Sequence, residues 1–289
     1  MTNNPRYPIY IVSYRRADTR HTSKALEMMG VPYHIIVEQD DYEAYTAVID
    51  AKKVLVLPES YLDAYDTCDD LGRTKSTGPG AARNFAWDHS IKLGALRHWV
   101  VDDNIADFWR FNRNNYYRVL SGAFFRPMED FCDRYENIAM AGPNYMMFTP
   151  RRTLRPPFKM NTRIYSCNLI QNDLPYRWRG RYNEDTDLSL RVLKDGRCTV
   201  LFNAFIQKKL ATQTVKGGNT VVFYELEGTY PKSAMQVKLH PDVSRIVQRF
   251  NRIHHIVDYK PFAKNALKRR PTVQVAQGIN NYGMTLTPV

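Results

Sequence analysis

The sequence has few cysteines and no long apolar run, and both shortages limit what the protein can be. Its four cysteines, Cys68, Cys132, Cys167 and Cys198, lie far apart and match neither the spacing of a zinc site nor a compact disulfide framework. No run of about 18 apolar residues, the length that would suggest a membrane-spanning helix, occurs in the chain. The first residues also lack the pattern of a secretion signal. We therefore expect a soluble protein of a reducing cytoplasm.

Negative charge is comparatively scarce, and the excess of positive charge is concentrated in two segments. The chain has 41 Lys and Arg residues against 29 Asp and Glu, a formal net charge of +12. Residues 150–181 hold eight basic residues and one acid, and residues 241–289 hold eight basic residues and two acids. Aromatic residues accompany the first segment, a composition typical of surfaces that bind a polyanion. Solubility is the alternative explanation for this charge.

The first basic segment supplies our candidates for binding nucleic acid. Trp178 is flanked by basic residues, so it could stack on a base while its neighbours contact phosphates. A core aromatic is the alternative for this tryptophan. The candidate DNA-binding residues are Arg151, Arg152, Arg155, Arg177, Trp178 and Arg179.

Hydrophobic periodicity predicts alternating strands and helices over the first hundred residues. The predicted strands are residues 8–14, 33–38, 54–58 and 98–101, and the predicted helices are residues 21–29, 41–49 and 78–94. This order is typical of an α/β protein with a mostly parallel central sheet flanked by helices. Ligands of such sheets bind at the carboxyl ends of the strands.

Two carboxylates and an amide, Asp102, Asp103 and Asn104, directly follow the fourth predicted strand. Their oxygens suit Mg²⁺ or Mn²⁺ held jointly with a ligand's phosphates. The alternative is a solvated turn whose aspartates cap a following helix. The helix that starts after the Gly-Pro-Gly turn at residues 78–80 carries Arg83, and its first amides would also attract phosphate.

A second acidic cluster lies in residues 182–196, which predict a loop entering a helix that ends at Gly196. Glu184, Asp185 and Asp187 fall in the first turn, where the helix dipole favours acids. A carboxylate held at a helix start can also remove a proton from an acceptor hydroxyl.

These motifs together resemble the GT-A class of nucleotide-sugar-dependent glycosyltransferases over about residues 8–225. The resemblance implies a GT-A-like (Rossmann-like) fold in which Asp102 binds the donor ribose, Asp103 binds a divalent metal with Asn104 nearby, and Asp185 is the catalytic base with Glu184 as its rival. It further implies roles for residues that border the donor base or diphosphate, namely Ser13, Glu38, Arg83, Lys216 and Gly217. His240 is a candidate third metal ligand, with a turn residue beside Pro241 as the alternative.

A narrower resemblance comes from SYRR, IIVEQDDYEAY, GPGAARN, VVDDNI, NEDTDLSLR and VKGGNT. This set is similar to the TET-associated glycosyltransferases of bacteriophages, which decorate hydroxymethylated pyrimidines in phage DNA. It implies an inverting enzyme that depends on a divalent metal, Mn²⁺ or Mg²⁺, and uses a UDP-sugar donor, UDP-glucose by default. The implied acceptor is double-stranded DNA carrying 5-hydroxymethylcytosine, and the implied location is the host bacterial cytoplasm. The alternatives are a glycan, lipid or protein acceptor, a non-catalytic DNA-binding protein, and a nucleotidyltransferase.

For domain organisation we expect one GT-A-like domain, residues 1–240, and a basic C-terminal extension, residues 241–289. Apolar residues from Val243 to Val257 recur close to helical spacing, with Arg245, Arg249 and Arg252 on another face. This pattern predicts an amphipathic basic helix. The oligomeric state and the role of residues 271–289 stay open.

Overall fold

A ten-stranded mixed sheet forms the centre of the protein. The structure is a computed structural model that describes residues 4–151, 156–210, 229–249 and 252–273. The sheet strands are β1 (Ile9–Val12), β2 (His34–Val37), β3 (Val54–Val56), β4 (Arg97–Asp102), β5 (Ile105–Asn112), β6 (Asn115–Arg118), β7 (Ile138–Tyr145), β8 (Phe158–Met160), β9 (Cys167–Gln171) and β10 (Cys198–Lys209). Their spatial order is β3-β2-β1-β4-β9-β7-β10-β5-β6, and β8 pairs with β10.

Helices connect and cover these strands. They are α1 (His21–Met28), α2 (Tyr42–Thr46), α3 (Glu59–Asp63), α4 (Gly80–Lys92), α5 (Arg126–Cys132), α6 (Glu184–Lys194) and α7 (Tyr230–Leu239). The α/β fold class predicted from the sequence is confirmed, and the sheet is consistent with a GT-A-like fold. The four predicted strands and the helices at α1, α4 and α6 are also confirmed to within a few residues.

Strand direction brings the functional motifs to one edge of the sheet. Strands β3, β2, β1 and β4 pair in parallel, and β7 pairs in parallel with β10. The antiparallel strand β9 lies between β4 and β7, so these two strands run in the same direction. The carboxyl ends of β1, β2, β4, β7 and β10 therefore share one edge, together with the amino end of β9.

Side chains alternate between two apolar layers, one on each face of the sheet. In β1, Ile9 and Ile11 join one layer and Tyr10 joins the other; in β4, Trp99 and Val100 are divided in the same way. Because both faces are covered, β1 and the central residues 99–101 of β4 are apolar. The polar residues that follow them are left at the sheet edge.

The segment after Asn104 is a strand, β5, so the alternative in which the aspartates cap a helix is wrong. β5 pairs antiparallel with β10, and Ile105 lies opposite Lys209. This pairing holds the end of β10 next to the acidic motif.

The predicted C-terminal helix is also wrong. Strands β11 (Ser244–Arg249) and β12 (Arg252–Val257) form an antiparallel pair there. The apolar spacing fits a helix or a strand, but β-branched residues such as Val247 and Ile256 favour a strand. The two strands also satisfy each other's backbone hydrogen bonds. Val243 and Phe262, which flank the pair, pack on Leu190 and Leu193 of α6. The domain boundary at residue 240 stays a prediction.

In the described part of the chain, no helix combines the length and the apolar character needed to cross a membrane.

A glycine in β7 allows the close approach of β9. A Cβ added at Gly142 would lie 2.2 Å from the backbone oxygen of Cys167. We expect Gly142→Ala to lower the free energy of unfolding by about 1–3 kcal/mol, because neither backbone can move without disturbing the sheet. Gly196→Ala adds only strain at a positive φ, since its Cβ would meet nothing within 4 Å. Urea denaturation of both variants measures the difference, and an equal or smaller loss in Gly142→Ala would contradict this account.

Candidate functional site

A cleft of about 730 Å³ lies along the shared sheet edge. Most of the predicted donor and catalytic residues line it, although they come from different parts of the chain. The predicted residues that line the cleft are Ser13, Glu38, Arg83, Asp102, Asp103, Asn104, Glu184 and Asp185. Lys216 and Gly217 lie outside the described residues, as do Arg152 and Arg155.

Arg83 connects the two acidic motifs. Its side chain, 2% exposed, donates from Nη2 to Asp102 Oδ1 (2.8 Å) and from Nη1 to Asp185 Oδ1 (2.5 Å), and Nη1 lies 3.2 Å from Glu184 Oε1. Burial alone would lower the pKa of Arg83, but these carboxylates outweigh burial and raise it. One fixed positive charge therefore holds the acid after β4 and the first turn of α6 side by side.

Asp102 has a second cationic partner that the sequence did not reveal. Lys209, at the end of β10, donates to Asp102 Oδ2 (2.6 Å) and to Ser166 Oγ (2.7 Å). Burial alone would raise the pKa of Asp102, yet Lys209 and Arg83 lower it well below its usual range. Asp102 is thus a carboxylate between two cations. No strand is predicted from the sequence at β10, whose last two residues are Lys208 and Lys209. Their position next to the acidic motif depends on the pairing of β10 with β5, which the sequence does not show.

Asp103 is held by groups from the loop after β1. Ser13 donates from Oγ to Asp103 Oδ2 (2.8 Å), and Arg16 Nη1 lies 2.5 Å from Oδ1. Burial raises the pKa of Asp103, and Arg16 and Ser13 offset that effect only in part. Arg16 was missed because nothing in SYRR distinguishes it from Arg15. Ser13, assigned to the donor base, thus contacts the proposed metal ligand directly.

Asn104 carries a buried oxygen that lacks a partner. Among the described residues, no group hydrogen-bonds to its Oδ1, while Nδ2 donates weakly to the carbonyl of Leu210 (3.5 Å). This amide oxygen beside two carboxylates fits a hard divalent cation such as Mg²⁺ or Mn²⁺. Within the described ranges, no group of three or more His, Cys, Asp or Glu side chains is arranged to hold a metal. A cation here would therefore complete its shell with phosphate oxygens and water.

Asp185 is the better oriented of the two candidate bases. Its Oδ2 accepts from the backbone N–H of Ser166 (3.1 Å), and Oδ1 accepts from Asn168 Nδ2 (3.1 Å) and from Arg83. Burial raises the pKa of Asp185, and Arg83 only partly counteracts it. Burial raises the pKa of Glu184 as well. A carboxylate with a raised pKa and fixed oxygens is suited to general-base catalysis.

His240 does not reach the cleft. Its Nε2 lies 2.9 Å from Asp187 Oδ1, and its Nδ1 lies 3.1 Å from Lys194 Nζ. Burial alone would raise the pKa of Asp187, but the contacts with His240 and Arg179 lower it. Both ring nitrogens are used inside the protein, so the prediction of His240 as a metal ligand is wrong. The sequence could not show that α6 and α7 meet at this point.

Trp178 is not available for stacking on a base. Trp178 is 1% exposed and lies under Arg83, whose Cζ is 4.7 Å from the ring centroid. Arg177 pairs with Asp88, and Arg179 pairs with Asp187. The prediction that Trp178 stacks on a base is wrong because its segment packs on α4. The two arginines next to it are used in internal ion pairs, whereas Arg151 is exposed.

A family model described as TET-Associated Glycosyltransferase matches residues 7–218, which include all the cleft residues named above. No curated protein matches the chain.

The contacts of His240 predict a structural role. We expect His240→Gln to lower the free energy of unfolding by about 1–3 kcal/mol, because it disturbs the buried pair with Asp187. The concentration of Mn²⁺ needed for half-maximal turnover should not change, since His240 is outside the cleft. Urea denaturation and a metal titration measure the two effects. A higher metal requirement with unchanged stability would return His240 to the metal site.

Proposed function

Since the chain belongs to the TET-associated glycosyltransferase family, we propose that it transfers a sugar from a nucleoside-diphosphate donor to the hydroxyl of 5-hydroxymethylcytosine in DNA. The observation that carries the proposal is the pair of contacts made by Arg83. One guanidinium contacts Asp102 of the donor motif at 2.8 Å and Asp185, the candidate base, at 2.5 Å. The donor-binding carboxylate and the candidate base therefore lie close enough together to serve one reaction centre.

The donor half of the proposal rests on the groups at the ends of β1, β2 and β4. Ser13 and Glu38 border the nucleotide base, and Asp102 receives the ribose. Asp103 and Asn104 would hold a divalent metal, Mn²⁺ or Mg²⁺. Such a metal supplies positive charge to the diphosphate as it leaves. UDP-glucose is the first donor to test.

The protein's own cations act on the same leaving group. Lys209 and Arg16 lie at the cleft, each paired with an aspartate of the acidic motif. Their positive charges keep the two carboxylates from repelling a diphosphate. Among the described residues that line the cleft, positive side chains outnumber negative ones. An anionic donor is therefore a favourable ligand for this site.

The transfer step uses Asp185 as the base. The acceptor oxygen forms a bond to the anomeric carbon while the bond from that carbon to the diphosphate oxygen breaks. The proton of the acceptor hydroxyl moves to Asp185, and the bonding electrons leave with the nucleoside diphosphate. Attack from the face opposite the leaving group inverts the configuration of the anomeric carbon.

A glycan, lipid or protein acceptor is the second candidate. It is favoured by the ion pairs of Arg177 with Asp88 and of Arg179 with Asp187, which compete with DNA phosphates for two of the expected contacts. The donor site would be unchanged with such an acceptor. A direct transfer experiment therefore has to vary the acceptor as well as the donor.

The first prediction concerns the reaction itself. Duplex DNA containing 5-hydroxymethylcytosine is incubated with a panel of nucleotide sugars and Mn²⁺ or Mg²⁺, digested to nucleosides and weighed by mass spectrometry. We expect a sugar-sized mass gain on the modified nucleoside, and a loss of about 100-fold or more in rate in Asp185→Asn, which removes the base. Asp173→Asn is the control, because Asp173 is exposed and lies outside the cleft. Transfer only to a non-DNA acceptor would refute the proposed substrate.

The second prediction concerns pH. Asp185 must be ionised to accept a proton, and burial raises its pKa above the ordinary 3.8. As the pH falls, kcat should therefore begin to decline at a higher pH than it would if the base were an exposed aspartate. A pH profile of single-turnover transfer measures this limb. A profile that stays flat down to the ordinary aspartate range would argue against Asp185 as the base.

A further inference from the structure

The side of the cleft formed by β7, β9 and β10 carries three aromatic side chains, which we call the aromatic wall: Tyr145, Phe148 and Tyr165. The ring centroids of Tyr145 and Tyr165 are 4.3 Å apart, and those of Tyr145 and Phe148 are 5.6 Å apart. The guanidinium carbon of Arg163 lies 4.8 Å from the ring centroid of Tyr165. The Tyr145 ring centroid also lies 5.9 Å from the ammonium of Lys209, a donor-site cation. The donor roles proposed above give no task to the rings of Phe148 and Tyr165.

The aromatic wall is well separated from the nucleotide side of the cleft. Ser13 follows β1 and Tyr145 ends β7, with β4 and β9 between these two strands. Neighbouring strands lie about 4.8 Å apart, so three steps across the sheet give a separation of roughly 14 Å. A donor base beside Ser13 and Glu38 would leave the wall uncovered, and the reacting atoms would lie between the two.

The wall adjoins the candidate base. Tyr145 Oη lies 2.5 Å from Ser166 Oγ, and the backbone N–H of the same serine donates to Asp185 Oδ2 at 3.1 Å. The rings are inclined to one another by 57° (Tyr145 and Tyr165) and 34° (Tyr145 and Phe148), so a flat ligand would stack on one ring and touch the others at their edges. Such a ligand would lie beside Asp185. This is the position that an acceptor has to occupy.

The cleft has the size of a small-molecule site. Its volume of about 730 Å³ falls in the range of sites for single small molecules, roughly 300–1,000 Å³. The Asp185 side chain is only 15% exposed within it. A hydroxymethyl group is short, so a base that stays stacked in a duplex outside the cleft would hold the group away from this carboxylate. A base that enters the cleft by itself would bring the group to Asp185.

The rim outside the wall carries exposed apolar and basic groups. Met147 is 76% exposed and Phe148 is 43% exposed. Next to them, Tyr116 Oη donates to the backbone oxygen of Thr149 (2.6 Å), and Arg151 lies over the Tyr116 ring at 4.8 Å. Apolar side chains inserted between bases, with cations for the phosphates, are a known way to open a stack. The rim therefore fits DNA better than it fits a polar glycan.

We propose that the aromatic wall binds a single pyrimidine base that has left the DNA helix, and that Met147 enters the space which this base vacates. This inference rests on the proposed DNA acceptor. It assigns Tyr145, Phe148 and Tyr165 to acceptor binding and Met147 to opening of the duplex.

The two roles predict different dependence on the DNA strand. Met147→Ala should reduce kcat/KM about tenfold on a matched duplex carrying 5-hydroxymethylcytosine, because extrusion costs more without the wedge. On the same strand without its complement, Met147→Ala should behave as the unaltered protein. Phe148→Ala should lose about tenfold on both forms, since stacking on the wall is needed for either. Leu96→Ala is the control, because Leu96 is 73% exposed and does not line this cleft.

A second measurement does not require turnover. With 2-aminopurine next to the modified cytosine, binding of the protein without donor should raise the fluorescence, and Met147→Ala should reduce that rise. Equal losses on both DNA forms, or no rise in fluorescence upon binding, would overturn the inference while transfer to DNA still stood. If neither DNA form receives sugar from any donor, the proposed function fails and this inference fails with it.

Discussion

The burial of Arg83 is the constraint on which the cleft depends. A guanidinium that is 2% exposed has lost its water, so its charge has to be matched by carboxylates at hydrogen-bonding distance. Asp102 comes from the end of β4, and Glu184 and Asp185 come from the first turn of α6. Only the planar fork of an arginine can satisfy both directions from one helix position. The helix α4, the strand β4 and the helix α6 are thereby fixed relative to one another.

This arrangement accounts for acids in a strongly basic protein. Asp102 is paired with Arg83 and Lys209, and Asp103 is paired with Arg16. The acidic motif is thus neutralised locally. Burial would raise the pKa of both aspartates, but Lys209 and Arg83 outweigh it at Asp102 and lower the pKa there, whereas Arg16 and Ser13 offset it only in part at Asp103, whose pKa is raised. Two adjacent aspartates therefore have different electrostatic environments. That difference agrees with different roles for them, one toward the ribose and one toward a metal.

Much of the positive charge near residue 180 serves the fold. Three arginines there form ion pairs: Arg177 with Asp88 of α4, Arg179 with Asp187 of α6, and Arg181 with Asp69, which precedes α4. These pairs hold residues 176–181 against α4, α6 and the segment before α4, and Trp178 lies buried under Arg83. Charge composition alone overstated the nucleic-acid surface here. The exposed apolar groups of the rim, Met147 and Phe148, gave no charge signal and were not selected from the sequence.

The sequence by itself determined the fold class, because the periodicity of strands and helices is a local property of the chain. It also determined the location of the acidic motifs, because polar residues that follow apolar strands lie at the edge of the sheet. It also assigned Asp185 to a helix start. Only the tertiary structure decided which cations meet these acids, since Lys209 and Arg16 reach them through pairings between distant segments. The tertiary structure also decided the role of His240, because its partner Asp187 lies in the distant helix α6. At the C-terminal hairpin, the apolar spacing was compatible with a helix or a strand, and the pairing of β11 with β12 made the segment a pair of strands. Contacts between distant segments leave no periodic trace in a single sequence, whereas local backbone preferences do.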